Sequence, residues 1–184
     1  MHSFKLTPYT VNVHDIAFRP GETRERQIAC DSGQTLGEGL VAVAPDTPVA
    51  LNVRLESIHD GILVCASVDT SASGVCGRCL IDIEIPVEVE FQELFAYPSK
   101  EPFDYEVNHD HVNLEPVVRD AVVLALPFQP VCQHDCRGLN PETGERLADT
   151  PENEPRGLID PRWSALAGFQ SAAHLSDGSD PAAS

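Results

Sequence analysis

Ile81-Asp82-Ile83-Glu84-Ile85-Pro86-Val87-Glu88-Val89-Glu90-Phe91 alternates apolar and polar residues across eleven positions, and the fold is read outward from this run. Alternation with a period of two predicts a strand with Ile81, Ile83, Ile85, Val87, Val89 and Phe91 facing inward and Asp82, Glu84, Glu88 and Glu90 facing outward. Pro86 removes one ladder donor, which predicts a sheet edge or a bulge nearby. Carboxylates two residues apart along a strand stand about 6.7 Å from one another, so the outward face is a ladder of negative charge. Its expected partners are arginines of neighbouring strands, Arg54, Arg24 or Arg26; the alternative is a docking surface for a basic protein.

The preceding residues carry the same signal. Val49, Leu51, Val53 and Leu55 alternate with Asn52, Arg54 and Glu56, and Ile62, Val64, Ala66 and Val68 repeat the pattern after His59-Asp60-Gly61. Two half-buried strands around turn residues predict a hairpin. Ser71-Ala72-Ser73-Gly74 then leads to a loop tip. Nearer the N-terminus, Tyr9 to His14 and Arg24 to Cys30 read as two further strands joined by Arg19-Pro20-Gly21-Glu22. Tyr97 to Val112 is polar and reads as a mobile loop, with His109-Asp110-His111 solvated rather than bound to metal. Asn113 has N-cap chemistry, and Leu114, Val117, Val118, Ala121, Val122, Leu124 and Ala125 follow at helical spacing until Pro127. The expected fold class is α+β: an antiparallel β-rich sheet or partial barrel, with a helix over about 114–126 packed on it.

A chain of 184 residues accommodates one domain and a tail. Residues 1–147 are expected to form the β-rich domain. Ala148 to Pro155 has linker composition, 159–169 is a short aromatic segment, and Leu175 to Ser184 is expected to be a disordered acidic tail. Trp163, Leu166 and Phe169 recur every three residues, so a short helix would place them on one side, to dock on the core or on a partner. Apolar runs such as Ala121 to Leu126 are too short to span a bilayer, and Met1 to Pro8 lacks an export signal. These features predict a cytoplasmic protein without membrane contact.

Twelve Lys plus Arg oppose 29 Asp plus Glu, a formal net charge of −17. The excess is lopsided: residues 1–80 carry −3 and residues 81–184 carry −14. Such a field repels phosphate backbones and attracts basic partners, which excludes an extensive nucleic-acid interface but leaves room for a local RNA contact. Simple solubility is the alternative reading of the same charge.

Cys76-Gly77-Arg78-Cys79 and Cys132-Gln133-His134-Asp135-Cys136 supply four of the six cysteines. Short spacers let each pair present both sulfurs to one ion, so Cys76, Cys79, Cys132 and Cys136 are the candidate ligands of one structural zinc clasping two loops. Gly77 is expected to take a positive φ, and Arg78 and Arg137 to offset the thiolate charge. A redox pair, disulfides and ordinary buried thiols remain alternatives; the first is disfavoured because the flanks of Cys76-x-x-Cys79 read as strands. Cys30 and Cys65 are assigned to packing. Four sulfurs leave no position for a catalytic water, and the sequence has no G-x-S-x-G, H-E-x-x-H, phosphate-binding loop or dinucleotide fingerprint. The expectation is therefore a non-catalytic protein, with a thiol- or zinc-dependent enzyme and a general acidic chaperone or adaptor as alternatives.

Gly74-Val75-Cys76-Gly77-Arg78-Cys79-Leu80, Asn113 to Ala121, Leu126-Pro127, Cys132 to Leu139 and Ile159-Asp160-Pro161-Arg162-Trp163 occur in that order. In this combination the chain resembles the bacterial and plastid YceD family, also known as DUF177 or large ribosomal RNA subunit accumulation proteins. The resemblance implies a part in biogenesis of the large ribosomal subunit, in accumulation of its ribosomal RNA, and no enzymatic activity. Family genes often neighbour one for a large-subunit ribosomal protein, so the implied partner is a basic ribosomal protein or a ribosome assembly intermediate. Many relatives carry another Cys-x-x-Cys where Asn140-Pro141-Glu142-Thr143 stands here. That departure leaves Cys76, Cys79, Cys132 and Cys136 as the four-sulfur set.

Overall fold

The computed structural model describes residues 6–98 and 103–147, together with Arg162. The chain divides into two units, Met1–Leu147 and Ala148–Ser184, and the elements below belong to the first. The expected roles of Trp163, Leu166 and Phe169 fall outside the described residues.

Three long strands build the fold: β2 (Thr23–Asp31), β4 (Pro48–Ser57) and β5 (Gly61–Val75), joined by β6 (Asp82–Ala96) in an antiparallel order β2-β4-β5-β6. A two-residue strand, β3 (Val41–Ala42), continues the place of β4 beside the far end of β5. Among the described residues β2 and β6 remain open edges, so the sheet is not a closed barrel. β1 (Thr10–Asn12) and β7 (His111–Asn113) form a separate two-stranded ribbon, followed by α1 (Glu115–Ala125).

The alternation of β4 and β5 is realised in burial. Val49, Leu51, Val53 and Leu55 face the core together with Ile62, Val64, Ala66 and Val68. Burying a side chain of this size contributes about 1.5–3 kcal/mol, so this one face supplies much of the folding free energy. A one-residue slip would send all eight to solvent, which fixes the register. The register of β6 against β5 runs without a bulge from Gly61↔Ala96 to Val75↔Asp82. Pro86 is thus tolerated because β6 is an edge strand, the first of the two expected explanations.

Ser71-Ala72-Ser73-Gly74, which leads to the loop tip at the first cysteine pair, is the last third of β5. Ala72 is fully buried and continues the inward parity of Ile62 to Val68. Small residues are required because β3 closes over them: a Cβ on Gly74 would lie 2.5 Å from the Leu40 carbonyl oxygen and 3.0 Å from Val41 Cα. Gly74→Ala is therefore expected to destabilise the protein by about 1–3 kcal/mol, read as a lower denaturant midpoint at an unchanged m-value.

The two expected N-terminal strands exist but do not pair with each other. β1 aligns with β7 through Val11↔Val112, whereas β2 aligns with β4. The supposed loop from Tyr97 to Val112 holds a parallel bridge from Ala96 to Glu106, and Val107 and Val112 are buried. Two apolar residues in a polar run were the signal of this anchoring. His109 and Asp110 both have positive φ between the hydrogen-bonded Asn108 and His111, a tight turn of the type that twists with its strands. His14 Nδ1 lies 2.9 Å from Asp110 Oδ2, and Asn12 Nδ2 lies 3.2 Å from His111 Nε2, so this motif, exposed to solvent as expected, also fastens β1 to β7.

The helix begins one residue later than its cap chemistry suggested. Leu114 is the N-cap, buried and already αR, while Asn113 ends β7 and still accepts the Glu115 N–H at 3.1 Å. Glu115 sits at the positive helix end, and Pro116 occupies the first turn, where a missing N–H costs nothing. Val117, Val118 and Val122 bury against the core. Leu124, expected on the buried side, is 85% exposed because the last turn overhangs a cleft beside β6.

Among the described residues no ion pair joins the acidic ladder to the arginines expected for it, although Arg26 and Arg54 line one cleft with Glu90. Glu84, Glu88 and Glu90 are exposed, and Glu88 stands opposite another acid, Asp69. Arg54 pairs with Glu56 on its own strand at 3.7 Å, and Arg24 turns to the other face to pair with Asp15.

Candidate metal centre

Both cysteine pairs sit where a regular element ends. β5 stops at Val75 and β6 starts at Asp82, so Cys76-Gly77-Arg78-Cys79-Leu80 is the reversal between two long paired strands. Its corner is closed by the Leu80 N–H donating to the Cys76 carbonyl at 3.0 Å and the Cys76 N–H donating to Ile81 at 2.8 Å. No helix follows the pair, as the strand-like flanks predicted. The positive φ of this turn belongs to Leu80, not Gly77. Gly77 contributes instead by donating its N–H to the Pro130 carbonyl at 2.8 Å, which ties the first loop to the approach of the second.

The second pair follows α1. Leu126 leaves the helix in an extended conformation, Pro127 prevents its continuation, and the chain runs past Gly77 into Cys132. The Cys136 N–H donates to the Gln133 carbonyl at 3.1 Å, which turns the loop so that both sulfurs face the first pair. Gly138, at φ 78°, lets the backbone pass the Arg78 carbonyl, 3.2 Å from where a Cβ would stand.

Across this junction the four sulfurs converge. Cys76 Sγ is 3.9 Å from Cys136 Sγ, Cys79 Sγ is 3.6 Å from Cys132 Sγ, and all four lie within 4.8 Å of one another. Tetrahedral coordination with Zn–S bonds of about 2.3 Å places sulfurs about 3.8 Å apart, so the donor set fits one such ion. Among the described residues no other group of His, Cys, Asp or Glu has metal-ligand spacing. Cys76, Cys79 and Cys136 are buried with Ile81 and Ile83 against them, and Cys132 is the member nearest the surface.

The electrostatics suit a cation. Burial raises the Cys76 thiol, but backbone N–H donors of Cys79, Arg78 and Cys132 outweigh it and bring the group down to about 6. Partial burial and then the thiols of Cys136, Cys79 and Cys76 push Cys132 up to about 12. The Ile81 N–H pulls Cys79 down, yet burial and the Cys76 and Cys136 sulfurs leave it raised. One thiolate forms readily and its neighbours resist, the behaviour of crowded like charges that a divalent ion would relieve.

Arg78 acts differently from expectation. Its guanidinium donates to the Cys136 carbonyl at 3.1 Å and the His134 carbonyl at 3.3 Å, bracing the second loop from the first instead of lying on the sulfurs. Arg137 is exposed. Where relatives are said to carry a further Cys-x-x-Cys, Asn140 Oδ1 accepts the Glu142 N–H at 2.9 Å, so an asparagine closes that turn.

Three comparisons bear on what this arrangement serves. The family model described as "Large ribosomal RNA subunit accumulation protein YceD" matches residues 64–170, which include both cysteine pairs. A Mycobacterium tuberculosis (strain H37Rv) protein, "Uncharacterized protein Rv2926c", is 36% identical over 167 residues, covering 87% of this chain and 80% of its own. "Uncharacterized protein ML1660" of Mycobacterium leprae is 32% identical over 88% of this chain and 77% of its own. "Uncharacterized protein YlbN" of Bacillus subtilis is 27% identical over 50% of this chain and 56% of its own. No solved structure matches.

Proposed function

Because the chain belongs to the YceD family of large ribosomal RNA subunit accumulation proteins, we propose that it is a non-catalytic factor in biogenesis of the large ribosomal subunit. It supports accumulation of the subunit's ribosomal RNA by binding a basic ribosomal protein or an assembly intermediate, and it works in the cytoplasm. Family membership carries this reading. The net charge of −17 supports a basic protein as the partner, since it opposes broad contact with phosphate. Among the described residues no helix is long and apolar enough to cross a membrane.

The metal in this reading is one structural zinc per chain, held by Cys76, Cys79, Cys132 and Cys136. Soft thiolates select zinc over the hard cations, and four of them fill its coordination shell. A hydrolytic zinc needs an open position, so the same donor set weighs against the enzymatic alternative.

Depleting the protein and profiling ribosomal subunits on sucrose gradients is the direct test. The large-subunit peak is expected to fall relative to the small, with precursors of its long RNA accumulating. Normal subunit ratios and normal RNA processing would remove the proposal.

A further inference from the structure

The C-terminal half of α1 ends in an apolar crest that stands exposed, uncovered by the other described residues. Leu124 is 85% exposed and Phe128, three residues past the helix, is 94% exposed. Single exposed apolar residues are ordinary on protein surfaces; two large ones flanked by apolar clefts are not. On one side a cleft of about 370 Å³ runs between α1 and the edge strand β6, walled by Val89, Phe91 and Tyr105 opposite Val117, Ala121 and Leu124. On the other a cleft of about 450 Å³ lies between Gly37–Val41 and the stretch Val123, Leu126, Pro127 and Phe128. Each has the volume to accept a whole apolar side chain.

Leu40 joins this second cleft to the sulfur cluster. Its side chain reaches to 3.6 Å from the Cβ position of Gly77, and its carbonyl accepts the Val75 N–H at 2.8 Å. The crest is therefore set on the same short segments that the two cysteine pairs hold, and its shape depends on them.

Charge selects the occupant. Glu90, Glu93 and Asp120 border the first cleft and Glu38 the second, and among the described residues neither is lined by a lysine or arginine. Asp120 pairs with its neighbour Arg119, which leaves Glu90 and Glu93 as the acids of the first rim. Tyr105, in the wall, has its phenol raised by burial and then by the carboxylates of Asp120, Glu93 and Asp104, which reports a negative potential inside the cleft. A second copy of this chain would bring the same acids against these, and RNA would bring phosphates. A basic polypeptide with spaced apolar side chains complements both features.

We infer that the Leu124–Phe128 crest and its two clefts dock an amphipathic basic segment of a large-subunit ribosomal protein, apolar side chains entering the clefts and Lys or Arg meeting Glu38, Glu90 and Glu93. This rests on the proposed ribosomal role and assigns that role a surface that shares only Glu90 with the outward acidic face of β6.

The test uses full-length protein at moderate salt and, as probe, the proteins stripped from purified large subunits. Retained proteins are identified by mass spectrometry, and affinity for the purified one is then measured. Three proteins are compared: wild type, the crest variant Leu124→Asp with Phe128→Asp, and the sheet-face variant Glu84→Lys with Glu88→Lys. All four positions are exposed, and circular dichroism confirms that each variant folds. The expected result is retention of a basic protein by wild type, at least a tenfold loss in the crest variant and at most a twofold change in the sheet-face variant. Retention lost only in the sheet-face variant, or equal in all three, overturns the crest while leaving the ribosomal role in place. No retained protein, self-association of wild type that the crest variant abolishes, or binding only to ribosomal RNA also overturns it. Failure of the ribosomal role itself is read separately, from normal subunit profiles on depletion.

Discussion

Protein carrying Cys76→Ser together with Cys132→Ser is expected to emerge from purification without added zinc as metal-free, where wild type carries about one ion per chain. The pair is chosen to remove one sulfur from each loop. Hydroxyls are hard, weakly acidic ligands, and two remaining thiolates do not retain a structural zinc against a chelator. The two losses are unequal. Cys76 is fully buried and accepts the Cys132 N–H at 3.4 Å, so its replacement also unsettles the second loop, whereas Cys132 lies at the surface. Cys76→Ser alone is thus expected to lower the thermal midpoint more than Cys132→Ser alone. The sheet should survive in either case. Its core residues from Val49 to Val68 are supplied by β4 and β5, and a chain of this size buries enough surface to fold without an ion. Elemental analysis and far-UV circular dichroism check both halves of the expectation; wild-type protein with no metal would refute the zinc assignment.

Phe95→Ala is expected to cost about 3–5 kcal/mol, the range for deleting a buried aromatic ring. Against a total stability of about 5–15 kcal/mol, that is a large fraction. Among the described residues Phe95 is the largest fully buried side chain; it pairs with Ile62 of β5, and its ring centroid is 5.4 Å from that of Tyr105. It therefore joins the sheet to the segment that leads into β7 and α1. The midpoint in a thermal scan should fall by about 10 °C or more. A drop of only a degree or two would mean that the ring is not buried as described.

Legibility of this fold varied with the range of the interactions involved. The alternation in β4, β5 and β6 was readable because each inward residue reports its own burial, and the register then follows. Partnership was not. Nothing in Tyr9–His14 or Arg24–Cys30 says that the first joins β7 and the second β4, because strand choice depends on non-local contacts, about 100 residues away for Thr10↔Asn113 and across an intervening strand for Thr23↔Glu56. Ser71 to Gly74 led to the loop tip as expected, but the close approach of β3 that requires small residues there is invisible locally. For the centre, cysteine type and spacing named all four converging sulfurs, yet the roles of Arg78 and Pro130 depend on backbone carbonyls, which sequence does not mark. Leu124 was misplaced for a related reason. Helical periodicity assigns a face, and only the position of the β6 edge determines whether that face is covered.

Cys76 and Cys136 are separated by 60 residues, and the path between them contains β6, β7 and all of α1. Closing so long a stretch carries an entropic cost that intervening structure must offset first. A ribosome making this protein has to release the chain beyond Cys136 before the quartet of sulfurs can assemble, so capture of the proposed ion would be a late event in its maturation. Occupancy by that ion would then serve as a certificate of completion: chains truncated before Cys136 lack the quartet, and with it the braced surface proposed to receive a client.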